Sequence, residues 1–387
     1  MKKFEDAVTD YHRGGSEVDD PGRPGTVEAV AFDSARSSFY SILAAYGIGE
    51  GDEVIIPAFT CLVITNPVIW VGAKPVYIDT GDDFNMDLSD LKKKVTKNTK
   101  AVLVQHTFGK PIDVGKVREI VGEDVKIIED TAHCLGGELN GRKLGTLGDA
   151  AILTFGIEKI ISTVRGGMAI TNDQELAIKL RQRQIGAKRF GLRRLIASLI
   201  NPVFWWFVTP VYYLGIGKLT LGRIFAWIGH RISLFGNMIE DCEYESKMPA
   251  WIPARLPGAL ATLGSLQMKK LDSFNAHRMK IASIYESELG ISYPSDLPVK
   301  NVVLRFPVLV DDRHAVLQAA KKIHVVLGDW YKSILYAPEF TWRGFEYIKG
   351  MAPNAERLSA MIVNLPTGVN VSVRAAKKIA GLVRKFR

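Results

Sequence analysis

Short apolar runs alternate with amphipathic stretches through the first half of the chain. Runs such as VIIP, PVYI, AVLVQ and KIIED are each followed by a turn or by a segment of helical character. Near-continuous apolar runs of this length are typical of strands buried on both faces of a parallel sheet. The alternation predicts a doubly wound α/β domain, with helices near 86–95 and from about 174 to 184.

The second half of the chain predicts a smaller α+β domain. A long helix ending near Leu289 is followed by the apolar run NVVLRFPVLV, a helix in DRHAVLQAAKKIH and a closing helix. A chain of 387 residues is long enough for two domains. We place the large domain at 1–245, with an insertion at about 185–240, and the small domain at 246–387.

The insertion contains an uncharged run over 195–217. Its length would suffice to cross a bilayer, but Pro202 and Pro210 are expected to break a helix. An element lying at the membrane surface fits better. It would place these aromatic residues at headgroup level: Trp205, Trp206, Tyr212 and Tyr213. The alternative is an apolar surface at a dimer interface or over the sheet.

Positive charge is concentrated in the same part of the chain. The formal net charge is +9, and no acidic residue occurs over 176–239. That segment holds ten basic residues, so the rest of the chain has a net charge of −1. Basic residues beside an apolar run favour an anionic membrane surface. Nucleic acid is not predicted as a partner, because the run is too apolar to follow a phosphate backbone.

The cysteines argue for a reducing environment. Cys61, Cys134 and Cys242 are far apart and match neither a disulfide framework nor a zinc site. We therefore predict no metal site. The N-terminal segment lacks the apolar core of a signal peptide, so export is not predicted. The expected location is the cytoplasm, at the inner face of the cytoplasmic membrane.

Candidate chemistry lies in 127–168. Asp130 ends one apolar run, His133 follows three residues later, and Lys159 follows the run AAILTFG. Open α/β sheets bind ligands at the carboxyl ends of their strands. A lysine among apolar neighbours can lose its proton and attack carbonyl groups. The same residues are also compatible with a solvated loop lysine and a helix-capping aspartate.

A serine-rich turn over 34–37 precedes a predicted helix that runs to about Tyr46. Backbone N–H groups and the helix dipole at such a position favour a bound phosphate. Ordinary capping of the helix by serine explains the same residues equally well. The turn therefore predicts a phosphate site only together with further evidence.

Several motifs in a fixed order give a specific resemblance. EDTAH is followed by GRKLGTLGD, TFGIEK and GGMAITND, and LPTGVNVS lies near the C-terminus. From about residue 28 onwards, apart from the insertion, the chain resembles the DegT/DnrJ/EryC1/StrS family of sugar aminotransferases. The resemblance implies a pyridoxal-phosphate (PLP) enzyme of fold type I that forms a homodimer.

The resemblance also implies roles for individual residues. Lys159 would bind the cofactor covalently and move a proton at the donor carbon. Asp130 would keep the pyridine nitrogen protonated, and His133 would lie beside the ring. Thr154 would bind the cofactor phosphate together with residues of the turn: Ala35, Arg36 and Ser37.

Four further positions carry over from the family motifs. Cys61 stands at the position where the family often has an aromatic residue over the cofactor ring, and Phe59 lies two residues before it. Arg165 replaces a glutamate of the family, which favours a more anionic substrate. Arg255 aligns with a family arginine and is a second candidate for substrate binding.

The implied reaction moves an amino group, with glutamate as the expected donor, onto a keto-sugar carried by a nucleotide or a lipid. Such products are used in cell-surface glycans. Family members that dehydrate sugars have histidine in place of the lysine, so Lys159 favours transamination. The insertion predicts peripheral membrane contact through 190–236. The alternative is a non-catalytic regulator or scaffold of the same fold, tethered to the membrane.

Overall fold

The structure is a computed structural model that describes residues 1–14, 27–212, 214–216, 219–231, 234–235, 237–292 and 298–387. Tyr213, predicted at headgroup level, lies outside the described residues. The α-helices are α1 (Lys2–Arg13), α2 (Ala35–Ala45), α3 (Leu62–Trp70), α4 (Leu88–Lys94), α5 (Val114–Val121), α6 (Gln174–Gly186), α7 (Leu192–Val208), α8 (Leu221–Arg231), α9 (Gly258–Met268), α10 (Leu271–Leu289), α11 (Arg313–Lys322), α12 (Pro353–Met361) and α13 (Val373–Val383).

The strands are β1 (Glu28–Phe32), β2 (Glu53–Pro57), β3 (Lys74–Ile78), β4 (Thr99–Gln105), β5 (Lys126–Asp130), β6 (Glu138–Leu139), β7 (Arg142–Lys143), β8 (Ala150–Thr154), β9 (Gly167–Thr171), β10 (Gly215–Ile216), β11 (Leu219–Thr220), β12 (Val299–Lys300), β13 (Arg305–Leu309) and β14 (Ile362–Pro366). Short 3₁₀ turns lie at Thr107–Gly109, Thr209–Val211, Asp241–Glu245, Ile334–Tyr336, Glu339–Phe345 and Arg384–Phe386.

Seven strands in the described part of the chain form the central sheet, in the order β1-β9-β8-β5-β4-β2-β3. The neighbours from β8 to β3 pair in parallel, whereas β9 is antiparallel to both β1 and β8. β4, β5 and β8 are buried over almost their whole length. The predicted doubly wound, mostly parallel α/β fold is therefore confirmed.

Local capping sets the helix limits that sequence reasoning placed only roughly. The Asp87 side chain accepts hydrogen bonds from the N–H groups of Ser89 and Asp90, so α4 begins at Leu88 and not at 86. Asp173 caps α6 in the same way. That helix continues to Gly186, two residues beyond the predicted end.

The C-terminal part has a core of its own around the β13–β14 pair. α10, α11 and α13 contribute to this core, whose members include Tyr285, Phe306, Val316, Val363 and Ile379. Buried residues over 331–358 pack instead in the core cluster that contains α2, α3 and one face of the central sheet. The division at 245/246 stays a prediction.

α7, the turn Thr209–Val211 and α8 form a helical hairpin, called the hairpin below. α7 runs through Pro202 without a break, so the prediction that this proline ends the helix is wrong. A proline removes one backbone hydrogen bond, and packing of α7 on α8 offsets that loss. Pro210 lies in the 3₁₀ turn, where the α-helix has already ended.

α8 packs closely on α7 and on the residues that flank the two helices. A Cβ added at Gly222 would lie 2.2 Å from Cα of Tyr212, which follows the turn, and one at Gly229 would lie 3.5 Å from the Phe204 ring of α7. The outer surface is apolar, with Trp206 72% exposed and Trp227 66% exposed. By length and composition the stretch Leu192–Val211 would be able to cross a membrane, and 11% of it is buried.

Candidate active site

The carboxyl ends of the parallel strands bring the predicted residues to one edge of the sheet. Asp130 is the last residue of β5, and Thr154 is the last residue of β8. β1 runs in the same direction as β8, so the turn before α2 lies at this edge too. Lys159 lies in the loop between β8 and β9. The sheet topology thus assembles residues that are far apart in the sequence.

Lys159 and Asp130 lie close enough for each to shift the pKa of the other. Burial lowers the pKa of Lys159 to about 8, an effect that Asp130 opposes and Arg305 reinforces. Asp130 is 3% exposed, and its Oδ1 accepts the N–H of Ala132 at 2.9 Å. Burial raises the pKa of Asp130, against the attraction of Lys159. A lysine of this kind supplies an appreciable fraction of free amine near neutral pH.

His133 lies in a stack of aromatic rings. Its ring is nearly parallel to those of Phe108 and Trp330, with interplanar angles of 13° and 15°. The N–H of Phe108 donates to Nδ1 at 3.1 Å, so Nε2 carries the proton of the neutral ring and faces the Tyr331 hydroxyl at 3.1 Å. Burial, with Lys159 second, lowers the pKa of His133 well below its usual value. His133 is therefore a neutral ring at this edge.

A cavity of about 150 Å³ lies at the start of α2. Its lining includes Ala35, Arg36, Thr154 and Arg165, four of the predicted residues. β9 passes very close on one side, since a Cβ at Gly167 would lie 2.2 Å from the backbone N of Ala35. This cavity is called the cup below. The backbone at the start of α2 lies at its edge, and a phosphate bound there would accept hydrogen bonds from backbone N–H groups.

The Ser37 side chain makes its hydrogen bonds within its own turn, and its predicted contact with the phosphate stays a prediction. Its hydroxyl donates to Asp33 Oδ1 at 2.7 Å, and its N–H donates to Ser34 Oγ at 3.3 Å. Ser37 does not belong to the cup lining. Ser34 therefore caps α2, and Ala35 and Arg36 are the other residues of the turn that line the cup.

Two arginines border the cup. Arg36 donates to Glu243 Oε2 at 2.7 Å and to the carbonyl of Met238 at 2.7 Å, and its Nε is buried without a partner among the described residues. Arg165 donates to the carbonyl of Asn237 and is 7% exposed. Burial, Arg194 and Arg36 lower the pKa of Arg165 to about 10. Two guanidinium groups therefore border the cup, where Glu243 balances the charge of Arg36 and Asp33 is part of the lining, so Arg165 is the arginine there without a paired carboxylate at hydrogen-bond distance among the described residues.

The remaining predicted residues divide into two groups. Phe59 is fully buried and packs edge-on against Tyr331 at 5.4 Å, and half-buried Cys61 lies near Lys159, where burial raises its pKa. Both lie at the site edge. Arg255 is exposed and its guanidinium donates to the carbonyl of Ile185. It is not among the residues that line the cup.

Sequence reasoning missed three residues that the C-terminal part brings to Lys159. Its Nζ lies 4.5 Å from the ring centre of Trp330, and the guanidinium of Arg305 lies 4.0 Å from the same centre. Tyr331 contacts His133 as described above. A cleft of about 490 Å³ opens here and is lined by Lys159, Arg305 and Trp330, among others. No motif of the sequence marks these residues; only tertiary packing brings them together.

The donor set fits pyridoxal phosphate. Half-buried Lys159, with its lowered pKa, is suited to react with the aldehyde of the cofactor. Buried Asp130, whose Oδ1 accepts the N–H of Ala132, is suited to bind a protonated ring nitrogen. The cup, with its unpartnered Arg36 Nε, matches the phosphate. Lys159 and the cup adjoin at Gly156, where an added Cβ would lie 3.9 Å from Lys159 Cγ and 4.0 Å from Thr154 Oγ1.

Comparison with known protein families agrees with this geometry. The model of the DegT/DnrJ/EryC1/StrS aminotransferase family matches residues 21–198 and 231–384. The unmatched stretch, 199–230, falls within the hairpin. The family pattern therefore covers the sheet edge, the cup and the cleft, and omits most of the hairpin.

Individual relatives resemble different lengths of the chain. GDP-perosamine synthase of Caulobacter vibrioides is 36% identical over 181 residues, or 46% of each chain, so the match spans less than half of that relative. An uncharacterised protein of Methanocaldococcus jannaschii is 26% identical over 88% of this chain and 81% of its own.

Solved structures extend the likeness over the whole chain. DesV of S. venezuelae superposes with a TM-score of 0.73 at 22% identity, covering 100% of this chain and 88% of that one. Spr1654 of Streptococcus pneumoniae in its PMP form gives 0.74 at 19% identity, over 99% and 90%. These likenesses confirm the predicted fold type I.

Proposed function

The chain belongs to the DegT/DnrJ/EryC1/StrS aminotransferase family, and we propose that it transfers an amino group from glutamate to a keto-sugar. Its cofactor is pyridoxal phosphate. The observation that carries the proposal is the placement of Lys159, with its pKa lowered to about 8, near buried Asp130 and beside the cup that Arg36 and Arg165 border.

Each residue has a defined task. When bound, pyridoxal phosphate would supply a carrier for the amino group and a ring that delocalises the electrons released at the donor carbon. Lys159 Nζ would anchor the cofactor at rest and would accept and return the proton of the donor carbon. Asp130 would keep the ring nitrogen protonated, and Thr154 with the α2 backbone would hold the phosphate.

The test uses borohydride reduction followed by mass spectrometry of peptides. Wild type should retain the cofactor mass on the Lys159 peptide and should transfer amino groups to a panel of keto-sugars. Lys159→Ala should lose both, with a rate loss on the order of 10⁴-fold. Lys332→Ala, which removes a half-exposed lysine near the cleft, should retain both. Reduced cofactor on another peptide of the wild type would refute the assignment.

Charge in the cleft supports glutamate as the donor. Arg305 lines the cleft beside Lys159 and pairs with Glu158 Oε2 at 2.9 Å. A guanidinium at this place suits a donor carboxylate, which would exchange for Glu158. Positive Arg165 at the cup supports an anionic acceptor, a keto-sugar on a nucleotide or lipid carrier, for cell-surface glycan synthesis.

The hairpin supports a peripheral site of action at the inner face of the cytoplasmic membrane. Arg194, near the start of α7, lies close enough to Arg165 of the cup to lower its pKa, and after the hairpin the carbonyl of Asn237 accepts from Arg165 and Met238 lines the cup. Both ends of the hairpin therefore lie near Arg165. Its outer face is apolar and its flanks are basic. We further propose a homodimer, as the family resemblance implies; light scattering in detergent-free buffer tests it.

A further inference from the structure

A second cavity, of about 540 Å³, lies between the start of α7 and the segment 235–251. Its lining includes Arg165, Arg193, Arg194, Phe235, Glu240 and Trp251. It is called the arginine cavity below. Three arginines face one carboxylate in this set, so the cavity is positively charged and suits a ligand with more than one negative charge.

The arginine cavity adjoins the reaction centre. Arg165 lines both this cavity and the cup. Met238, next to Asn237 of the cavity lining, lines the cup too, and a Cβ added at Gly156 would lie 3.7 Å from Met238 Cε and 3.9 Å from Lys159 Cγ. A ligand held by these arginines would therefore place an attached group close to Lys159.

The position and hydrogen bonding of the Arg194 guanidinium suit a bound anion. Its guanidinium lies 3.4 Å from the ring centre of Trp251, which holds it by a cation–π contact. Both of its terminal nitrogens are buried without a hydrogen-bond partner among the described residues. A buried guanidinium edge without a partner is costly, and phosphate oxygens would satisfy it with two parallel hydrogen bonds.

The aromatic rings that line the arginine cavity favour a phosphate ligand that carries no nucleotide base. Trp251 is contacted by Arg194 and, at 5.3 Å, by Arg36. Phe235 packs on Phe204 at 4.7 Å and so joins the aromatic cluster of the hairpin. Both rings are thus engaged within the protein, whereas a nucleotide base would need an open ring face to stack on.

The hairpin side of the arginine cavity leads to apolar surface. α7 supplies Arg193 and Arg194 at its start and continues to Trp206 and Phe207, which are 72% and 64% exposed. One helix therefore carries the arginines at one end and an exposed apolar face at the other. This order of charge and apolar surface matches a phosphate attached to a hydrocarbon chain.

We propose that the arginine cavity binds the diphosphate of a lipid-linked keto-sugar, while the hairpin rests on the bilayer that carries this lipid. The inference rests on the proposed function and narrows its acceptor to one class. The diphosphate serves only for binding, and none of its covalent bonds is broken in the reaction. The sugar ketone reaches Lys159, and the hydrocarbon follows the hairpin into the bilayer.

The test measures binding to vesicles. Neutral phosphatidylcholine vesicles are prepared plain, with a long-chain polyprenyl diphosphate, or with the matching monophosphate. Wild type should bind the diphosphate vesicles at least about tenfold more tightly than the plain ones and more tightly than the monophosphate ones. Arg193→Ala/Arg194→Ala should lose this gain, whereas the matched double variant Arg189→Ala/Arg223→Ala, with the same loss of charge outside the cavity lining, should keep most of it.

Two results would overturn the inference. One is equal binding of the two double variants to diphosphate vesicles. The other concerns soluble uridine diphosphate, whose binding is measured by calorimetry. If wild type binds it as tightly as the diphosphate vesicles, and Arg193→Ala/Arg194→Ala loses this binding, the cavity is a nucleotide site. Absorbance of bound cofactor is recorded on every protein. Failure of wild type to take up cofactor refutes the proposed function, whereas normal uptake without diphosphate selectivity refutes only the lipid-linked acceptor.

Discussion

The sheet edge and the hairpin use apolar residues in opposite ways. At the edge, Phe59, Phe108 and Tyr331 are buried around ionisable groups, and the pKa of Lys159 is lowered as a result. On the hairpin, Trp206 and Trp227 are exposed on the outer surface. Buried apolar side chains tune the chemistry of a neighbour, whereas exposed ones supply a surface for something outside the protein.

The two regions meet at charged contacts. Arg36 of the cup pairs with Glu243, which lies just beyond the hairpin, and Arg165 donates to Asn237 at the hairpin exit. The chemistry at the sheet edge, the Arg36–Glu243 contact and the apolar outer surface of the hairpin can therefore each be changed separately.

Asp130→Asn should reduce the rate of amino transfer about 10³-fold, which corresponds to about 4 kcal/mol. The amide keeps the shape of the side chain but has no negative charge, so it cannot stabilise the protonated ring nitrogen of the cofactor. Cofactor on Lys159 should remain detectable after reduction, and binding to anionic vesicles should not change. Asp124→Asn, at an exposed position, is the control. A normal rate in Asp130→Asn would remove this residue from the mechanism.

Glu243→Gln should lower the free energy of unfolding by about 3 kcal/mol, because it leaves the buried charge of Arg36 without its partner. Both side chains are almost fully buried, at 5% and 0% exposure. Urea denaturation measures the effect. Arg36→Thr/Glu243→Gln should be more stable than the two single losses predict. Glu245→Gln, at an exposed position, is the control. Equal stability of the two glutamine variants would show that the Arg36–Glu243 pair does not contribute to the free energy of unfolding.

Trp206→Ser/Trp227→Ser should weaken binding to anionic vesicles about 30-fold, or about 2 kcal/mol, with the cofactor site intact. Val326→Ser/Phe340→Ser removes apolar side chains that are 78% and 87% exposed and lie outside the hairpin. This control should bind as wild type does. If the tryptophan variant instead keeps its vesicle binding and loses its dimeric state, the hairpin is an interface between copies of the chain.

The smallest effect concerns pH. Because the pKa of Lys159 falls from 10.5 to about 8 on folding, its charge opposes folding fully below about pH 8, and this cost fades as pH rises toward 10.5. A shift of this size corresponds to at most about 3.4 kcal/mol, and solvent screening of the partly exposed side chain reduces it, so we expect cofactor-free Lys159→Met to be about 1 kcal/mol more stable than wild type at pH 7. The gap should narrow between pH 8 and 10.5. A gap that does not change with pH would show that Lys159 is not desolvated.

Sequence patterns were sufficient for the sheet and for one half of the site. Asp130 could be proposed because parallel strands end at a common edge, and the α2 turn because it is a serine-rich helix start, whereas Thr154 followed only from the family resemblance. Trp330, Tyr331 and Arg305 could not, because packing of the C-terminal part decides their position. Pro202 was misjudged for the same kind of reason: local propensity predicted a break, and helix–helix packing prevails.

The entry and exit of the hairpin at one cup have a consequence for how substrate is found. An enzyme held on a bilayer by this element would search for a lipid-borne partner by lateral diffusion within a surface, and encounter would depend on surface density. The rate would then follow the mole fraction of acceptor lipid, and diluting the bilayer with inert lipid would slow catalysis even at constant bulk concentration.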